Sequence, residues 1–192
     1  MKVKVFDLTY IEYPDSNSGF LFAALSLLPL FLIFSLLPVS LVARKLSYVV
    51  LFVGVLCSTI VNESLKRLIR EPRPPGSHRE GFGMPSDHSQ FCAFWTAYFI
   101  VYLVGKGGIR RSFKIGCTAV NMTLSLMVMY SRVFLGVHSS PQVLCGAVVG
   151  TIMGLGWGIM ANKIFSGKGY LKVGELSWSY IDKLVYEESK YE

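Results

Sequence analysis

Three cationic side chains, Lys66, Arg73 and Arg132, and two histidines, His88 and His138, fall in three short clusters between apolar runs. The first cluster is Lys66-Arg67-Leu68-Ile69-Arg70-Glu71-Pro72-Arg73-Pro74. Pro72 and Pro74 bias Glu71 and Arg73 towards extended backbone. Arg73 then stands on a stiff strut, where its planar fork can meet a phosphate with two donors while Lys66 adds a point charge. Taken alone, the cluster reads equally well as basic residues snorkelling to a membrane interface.

The second cluster is Gly83-Met84-Pro85-Ser86-Asp87-His88-Ser89. Ser86 reads as an N-cap that opens a helix, and a helix N-terminus offers free N–H groups to an anion. Asp87 falls among those N–H positions. His88 lies in the first turn, placed to give a proton to a leaving group. Alone, this is a capped helix with an interfacial histidine. The third cluster runs from Ser131-Arg132 through Gly136-Val137-His138 to Ser139-Ser140-Pro141-Gln142. Ser140 reads as N-cap and Pro141 as the first helical residue. Gln142 lies four residues beyond His138, within reach across the cap. Arg132 ends an apolar run, and a charge at the bilayer edge is functional by default.

Together these residues suit phosphoryl transfer with neither metal nor cofactor. Arginines and lysine serve as the charge clamp, and a histidine as nucleophile. The Gln142 oxygen would accept His138 Nδ1–H and leave Nε2 free to attack. No cluster of acidic residues and histidines offers metal ligands. His78 reads as a loop residue without a role.

The elements that must position these groups are membrane helices. The chain has 192 residues, 52% hydrophobic and only 16% charged, with mean hydropathy +0.48. That is too apolar for a disordered chain or a single soluble core. The net charge of +7 sits in short clusters between apolar runs, which fits membrane-flanking residues or an anionic substrate and not a nucleic-acid surface. Five runs are expected to span: Phe20 to Val42 with kinks at Pro29 and Pro38, Leu46 to about Leu68, Ser86 to Val104, Ile115 to Val137, and Val143 to Met160. The fold class is therefore all-α, a polytopic helix bundle. Residues 1–162 are expected to form the membrane domain, and 163–192 a cytoplasmic tail that reads either as an interfacial helix, from the spacing of Trp178, Ile181, Leu184 and Val185, or as a disordered segment. Gly146, Gly150, Gly154 and Gly158 make a ridge for a close helix neighbour. The four cysteines lie in apolar runs without CxxC spacing and read as buried free thiols. The N-terminus lacks the pattern of a cleavable signal peptide.

Lys and Arg in short loops orient the chain. Arg44 and Lys45, then Lys106, Arg110, Arg111 and Lys114, then Lys163, Lys168 and Lys172 mark one face as cytoplasmic. The loop from Leu68 to Pro85 lies on the other face yet carries Arg70, Arg73 and Arg79. Its charges break the positive-inside rule, and an anionic ligand supplies the reason. The sequons Asn62-Glu63-Ser64 and Asn121-Met122-Thr123 fall within or beside spans and are expected to stay unmodified.

In these clusters the chain resembles the type 2 phosphatidic acid phosphatase superfamily, whose pattern is K-x6-RP, then PSGH, then S-R-x5-H-x3-D. Lys66 to Arg73-Pro74, Pro85-Ser86-Asp87-His88 and Ser131-Arg132 to His138 match it in order. Asp87 stands where the pattern has Gly, and Gln142 where it has Asp. Leu8 to Pro14, Glu71-Pro72-Arg73-Pro74 and Gln142-Val143-Leu144 are similar to the branch that acts on dolichyl diphosphate. The resemblance implies that His138 attacks the terminal phosphorus and His88 protonates the leaving oxygen. It implies that Lys66, Arg73, Arg132, Ser86 and the backbone at Asp87 hold the phosphate. It implies a polyprenyl diphosphate substrate in the endoplasmic reticulum membrane, a lumenal active site, and dolichol recycling for protein N-glycosylation. Rival readings are a phosphatase for another lipid, such as phosphatidate, a sphingoid phosphate or a bacterial polyprenyl diphosphate, or an inactive lipid-binding member. Oligomeric state is left open.

Overall fold

The structure, a computed structural model, describes residues 3–6, 11–43, 46–77 and 79–166. Arg44, Lys45, His78, the tail from 167 onward and part of the Leu8–Pro14 stretch lie outside the described residues.

A short antiparallel hairpin precedes the helices, β1 (Val3–Phe6) with β2 (Ile11–Pro14), pairing Val3 with Pro14 and Phe6 with Ile11. The all-α reading contained no strand here. Six helices follow among the described residues: α1 (Asn17–Leu25), α2 (Leu28–Ala43), α3 (Leu46–Ile69), α4 (Asp87–Gly105), α5 (Arg111–Phe134) and α6 (Ser140–Ser166). The expected first span is thus two helices. The chain breaks at Ser26–Leu27, just before Pro29, whose ring removes a donor and crowds the preceding turn. Pro38 is carried inside α2. α5 stops at Phe134, three residues short of the expected Val137, because Gly136 takes φ +67, the left-handed conformation glycine adopts without strain. α6 continues past Met160 to Ser166.

Among the described residues four segments, with α1 and α2 counted as one, are long and apolar enough to cross a membrane. α4 is the expected span that is not among them. Its first turn, Asp87-His88-Ser89-Gln90, is polar because it carries site residues. α4 is also the central helix, with Phe91, Cys92, Ala93, Phe94, Ala97 and Tyr98 all buried. Its shielding by protein relaxes the demand for a lipid-compatible surface.

The most extensive helix contact is between α4 and α6, along the glycine ridge. A Cβ at Gly150 would strike the Gln90 carbonyl, one at Gly154 the Phe94 carbonyl, and one at Gly146 that of Ser86. The ridge therefore packs within the chain, backbone against backbone. The four cysteines are free, with Cys92 buried and the others half-buried.

Candidate active site

α3 delivers the first group. Lys66, in its last turn, is buried, and its Nζ donates to Glu63 Oε1 at 3.1 Å and to Asp87 Oδ2 at 2.5 Å. One turn earlier, Asn62 Nδ2 donates to Gln90 Oε1 at 2.8 Å, and Gln90 Nε2 donates to the Ser58 carbonyl at 2.7 Å. This buried polar ladder ties α3 to α4 beneath the site. Sequence reasoning gave neither Asn62 nor Gln90 a role in the site. The signal was there: an amide buried in a membrane helix needs partners. Asn62 is enclosed, which leaves its sequon no room for a glycan.

The chain leaves α3 at Arg70, in the left-handed region with φ +55. The Glu71 carbonyl accepts Gly83 N–H at 2.7 Å. Pro72 bridges to Phe82, so the 70–86 loop folds back on itself. Arg73 is thereby aimed across the site. Its Nη1 donates to the Val137 carbonyl and to His138 Nε2, both at 3.1 Å, and its Nε to the Glu80 carbonyl at 3.3 Å. Burial, then the charge of Arg79, lowers the Arg73 pKa. Arg79 also acts on Arg132, so it is a further cation of this cluster. It was noted in the sequence only as a charge on the wrong membrane face.

α4 opens at Ser86, in the N-cap position with extended backbone, but its hydroxyl makes no capping bond. The expected side-chain cap is absent, and Ser86 Oγ is buried without a hydrogen-bond partner among the described residues. Ser89 Oγ, missed in the sequence, is buried and unpartnered too. Asp87 was expected to bind phosphate. Its carboxylate instead pairs with Lys66, and a carboxylate repels phosphate, so only its backbone N–H fits that role. His88 Nε2 lies 3.1 Å from the Ser26 carbonyl, and must donate to it. The break between α1 and α2 thus supplies His88 with an acceptor.

Arg132, on the last turn of α5, has no exposed surface, and its Nε, Nη1 and Nη2 have no hydrogen-bond partner among the described residues. Its carbonyl accepts the N–H groups of Val137 and His138 at 3.2 Å each, which folds the turn after α5 over its own last turn.

His138 lies between α5 and α6. Its Nδ1 is 2.9 Å from the Gly83 carbonyl and 3.3 Å from Gln142 Oε1. Both are acceptors, so Nδ1 carries the proton and Nε2 presents its lone pair. The expected partner, Gln142, is the longer of the two contacts, and Gly83 is the one sequence reasoning missed. Burial, followed by the charges of Arg73 and Arg132, pulls the His138 pKa down to about 3. Gln142 is nearly inaccessible. Its N–H donates to Ser139 Oγ at 3.4 Å, and its Oε1 accepts Ser139 N–H at 3.2 Å. This is a capping box, so Ser139 and not Ser140 caps α6, and Pro141 falls one residue later than expected. Gln142 Nε2 donates to Glu71 Oε1 at 2.9 Å and to the Pro72 carbonyl at 2.8 Å.

All eight site residues read from the sequence therefore converge at one end of the bundle. The PAP2 superfamily model matches residues 47–165, which hold every one of them. The chain belongs to the PAP2 superfamily. Dolichyldiphosphatase 1 of Mus musculus is 33% identical over 171 residues, covering 83% of this chain and 72% of that protein. Dolichyldiphosphatase of Saccharomyces cerevisiae is 34% identical over 163 residues, 78% of this chain and 66% of that one. Lipid phosphate phosphatase gamma of Arabidopsis thaliana is 31% identical over 173 residues, 85% of this chain and 76% of that one. A PAP2 transmembrane phosphatidylglycerolphosphate phosphatase from Bacillus subtilis shares the fold, with TM-score 0.65, 22% identity and 75% and 76% of the two chains covered. This PAP2 chain is thus a helical, multi-span membrane protein.

Proposed function

We propose that the chain hydrolyses the terminal phosphate of dolichyl diphosphate through a phosphohistidine on His138, on the lumenal face of the endoplasmic reticulum, returning dolichyl phosphate to protein N-glycosylation. The coarser statement rests on the PAP2 family and its relatives: the chain is a lipid phosphatase. The finer one is supported by one observation above others. The buried Arg132 guanidinium and the Ser86 and Ser89 hydroxyls are all without partners, beside a histidine whose Nε2 is unprotonated. Buried donors without partners are costly, and a phosphoryl group supplies the acceptors they lack.

In this mechanism His138 Nε2 forms a bond to the terminal phosphorus as the bond to the bridging oxygen breaks. The negative charge of the bound diphosphate favours the imidazolium form of His88, which leaves the Ser26 carbonyl, gives its Nε2 proton to the departing dolichyl phosphate and becomes neutral imidazole. Arg73, now on His138 Nε2, turns its N–H to the phosphoryl oxygen, joining Arg132 and Lys66. Water then cleaves the phosphorus–nitrogen bond, losing its proton to His88, and inorganic phosphate departs. A cavity of about 200 Å³ beside His88 is lined by the apolar Pro29, Leu30, Ile33, Val55 and Phe91 together with polar groups that include Glu63 and Asp87, and its apolar side suits the first isoprene units.

Purified protein should release phosphate from dolichyl diphosphate in excess EDTA. Among the described residues no group of three or more His, Cys, Asp or Glu could hold a metal. His138→Ala should retain less than about a thousandth of the rate. Residual activity above that would remove His138 as nucleophile. Faster release from phosphatidate or a sphingoid phosphate would move the substrate to the rival class.

A further inference from the structure

We infer that Glu71 is a positioning residue for His138, acting through the side-chain amide of Gln142. The inference rests on His138 being the nucleophile. Gln142 is held with two acceptors, Glu71 Oε1 and the Pro72 carbonyl, against its nitrogen. Two donors, Ser139 N–H and His138 Nδ1–H, face its oxygen. That arrangement leaves the amide one orientation.

The resulting chain runs from carboxylate to amide N–H, from amide oxygen to imidazole N–H. A hydrogen bond to an ionised group is stronger than a neutral one, and each bond in a chain polarises the next. When His138 Nε2 takes the phosphoryl group, the ring keeps Nδ1–H and becomes cationic. Glu71 then stabilises that cation without touching the ring. The charged and titratable groups that otherwise act on His138 are Arg73 from the loop, Arg132 from α5 and His88 from α4. Among the described residues, Glu71 is the carboxylate that joins its hydrogen-bond chain. Its backbone is fixed by the bond from Gly83 N–H, and Gly83 gives its own carbonyl to Nδ1. A carboxylate at 142 would meet Glu71 and the Pro72 carbonyl with no proton between them.

The test compares wild type, Glu71→Gln, Gln142→Glu and the double variant in detergent, measuring phosphate released from dolichyl diphosphate across pH. Glu71→Gln should lower kcat about tenfold with KM within about twofold, the difference between a charged and a neutral hydrogen bond. Gln142→Glu alone should lose about thirtyfold or more through carboxylate repulsion. In the double variant, the amide introduced at position 71 can donate to the carboxylate introduced at position 142, so activity should return to about the Glu71→Gln level. Its acid limb should lie above the wild-type limb, because a carboxylate then abuts Nδ1. A double variant as weak as the product of the two singles, or with an unmoved pH profile, overturns the inference. So does a Glu71→Gln variant that raises KM with kcat intact, which would mean that Glu71 only supports the Arg73 loop. If Gln142→Glu alone does not fold, the kcat and KM split and the double variant still decide. Activity surviving His138→Ala would instead sink the nucleophile reading.

Discussion

Arg73 Nη1 lies 3.1 Å from His138 Nε2, the ring nitrogen that carries no proton. The cation is therefore parked on the lone pair of the proposed nucleophile, and in the proposed mechanism it passes to the incoming phosphoryl oxygen.

Arg73→Lys keeps the charge and loses this geometry. One guanidinium reaches the Val137 and Glu80 carbonyls and His138 together, and a single ammonium cannot. We expect at least about a tenfold loss in kcat/KM, measured by steady-state phosphate release. Unchanged kcat/KM would mean that Arg73 merely flanks the membrane.

The depressed His138 pKa makes stability depend on pH. Burial first, then Arg73 and Arg132, hold the folded value at about 3, against 6.5 for an ordinary histidine. The unfolded chain binds the proton more readily, so the contribution of His138 is complete above about pH 6.5 and is lost as pH falls towards 3. Thermal melts in detergent should show a lower Tm at pH 4.5 than at pH 7.5. His138→Asn should shrink that difference, and an equal difference in both proteins would contradict the assignment.

Gln142→Ala should cost far less than His138→Ala. The Gly83 carbonyl still holds Nδ1–H, so the loss is that of one or two buried hydrogen bonds, about ten- to a hundredfold. Gly83→Ala should be as damaging from the opposite side, because its Cβ would come within 2.5 Å of Gln142 Oε1. A Gly83→Ala enzyme with wild-type kcat would show that the amide can move freely.

The glycine ridge supplies a paired test of packing. Gly150→Ala pushes α6 off the Gln90 carbonyl and should lower Tm by several degrees. Gly156→Ala, on the same helix with nothing near its Cβ, should leave Tm level or raise it slightly. Equal effects at both positions would mean that the α4–α6 contact does not depend on the ridge.

What the sequence disclosed was the candidate set that converges at one end of the bundle and the helices that carry it. Lys66, Arg73, His88, Arg132 and His138 stand out by type, because a charge or imidazole beside an apolar run has few innocent uses. Local order was also readable, since Pro72, Pro74 and Pro141 constrain their neighbours directly. The rest depended on long-range contacts that no spacing encodes. Gly83 meets His138 across a distant stretch of chain through its backbone carbonyl, and a carbonyl leaves no trace in residue type. Glu71 sat in plain view within Glu71-Pro72-Arg73-Pro74, but its partner is Gln142, far along the chain. The Ser139 cap was displaced by one residue because two adjacent serines precede Pro141, and only the bonds to Gln142 separate them.

The three Arg132 nitrogens, without a hydrogen-bond partner among the described residues, also bear on how the protein responds to its buffer. Any ligand that engages the folded site but not the unfolded chain shifts the folding equilibrium by mass action. Inorganic phosphate, the released product, offers those nitrogens the same oxygens as the substrate. If Arg132 holds phosphate as proposed, phosphate should act as protectant and competitor at once. A buffer chosen to keep the protein intact would hold back its turnover in the same proportion as it fills the site.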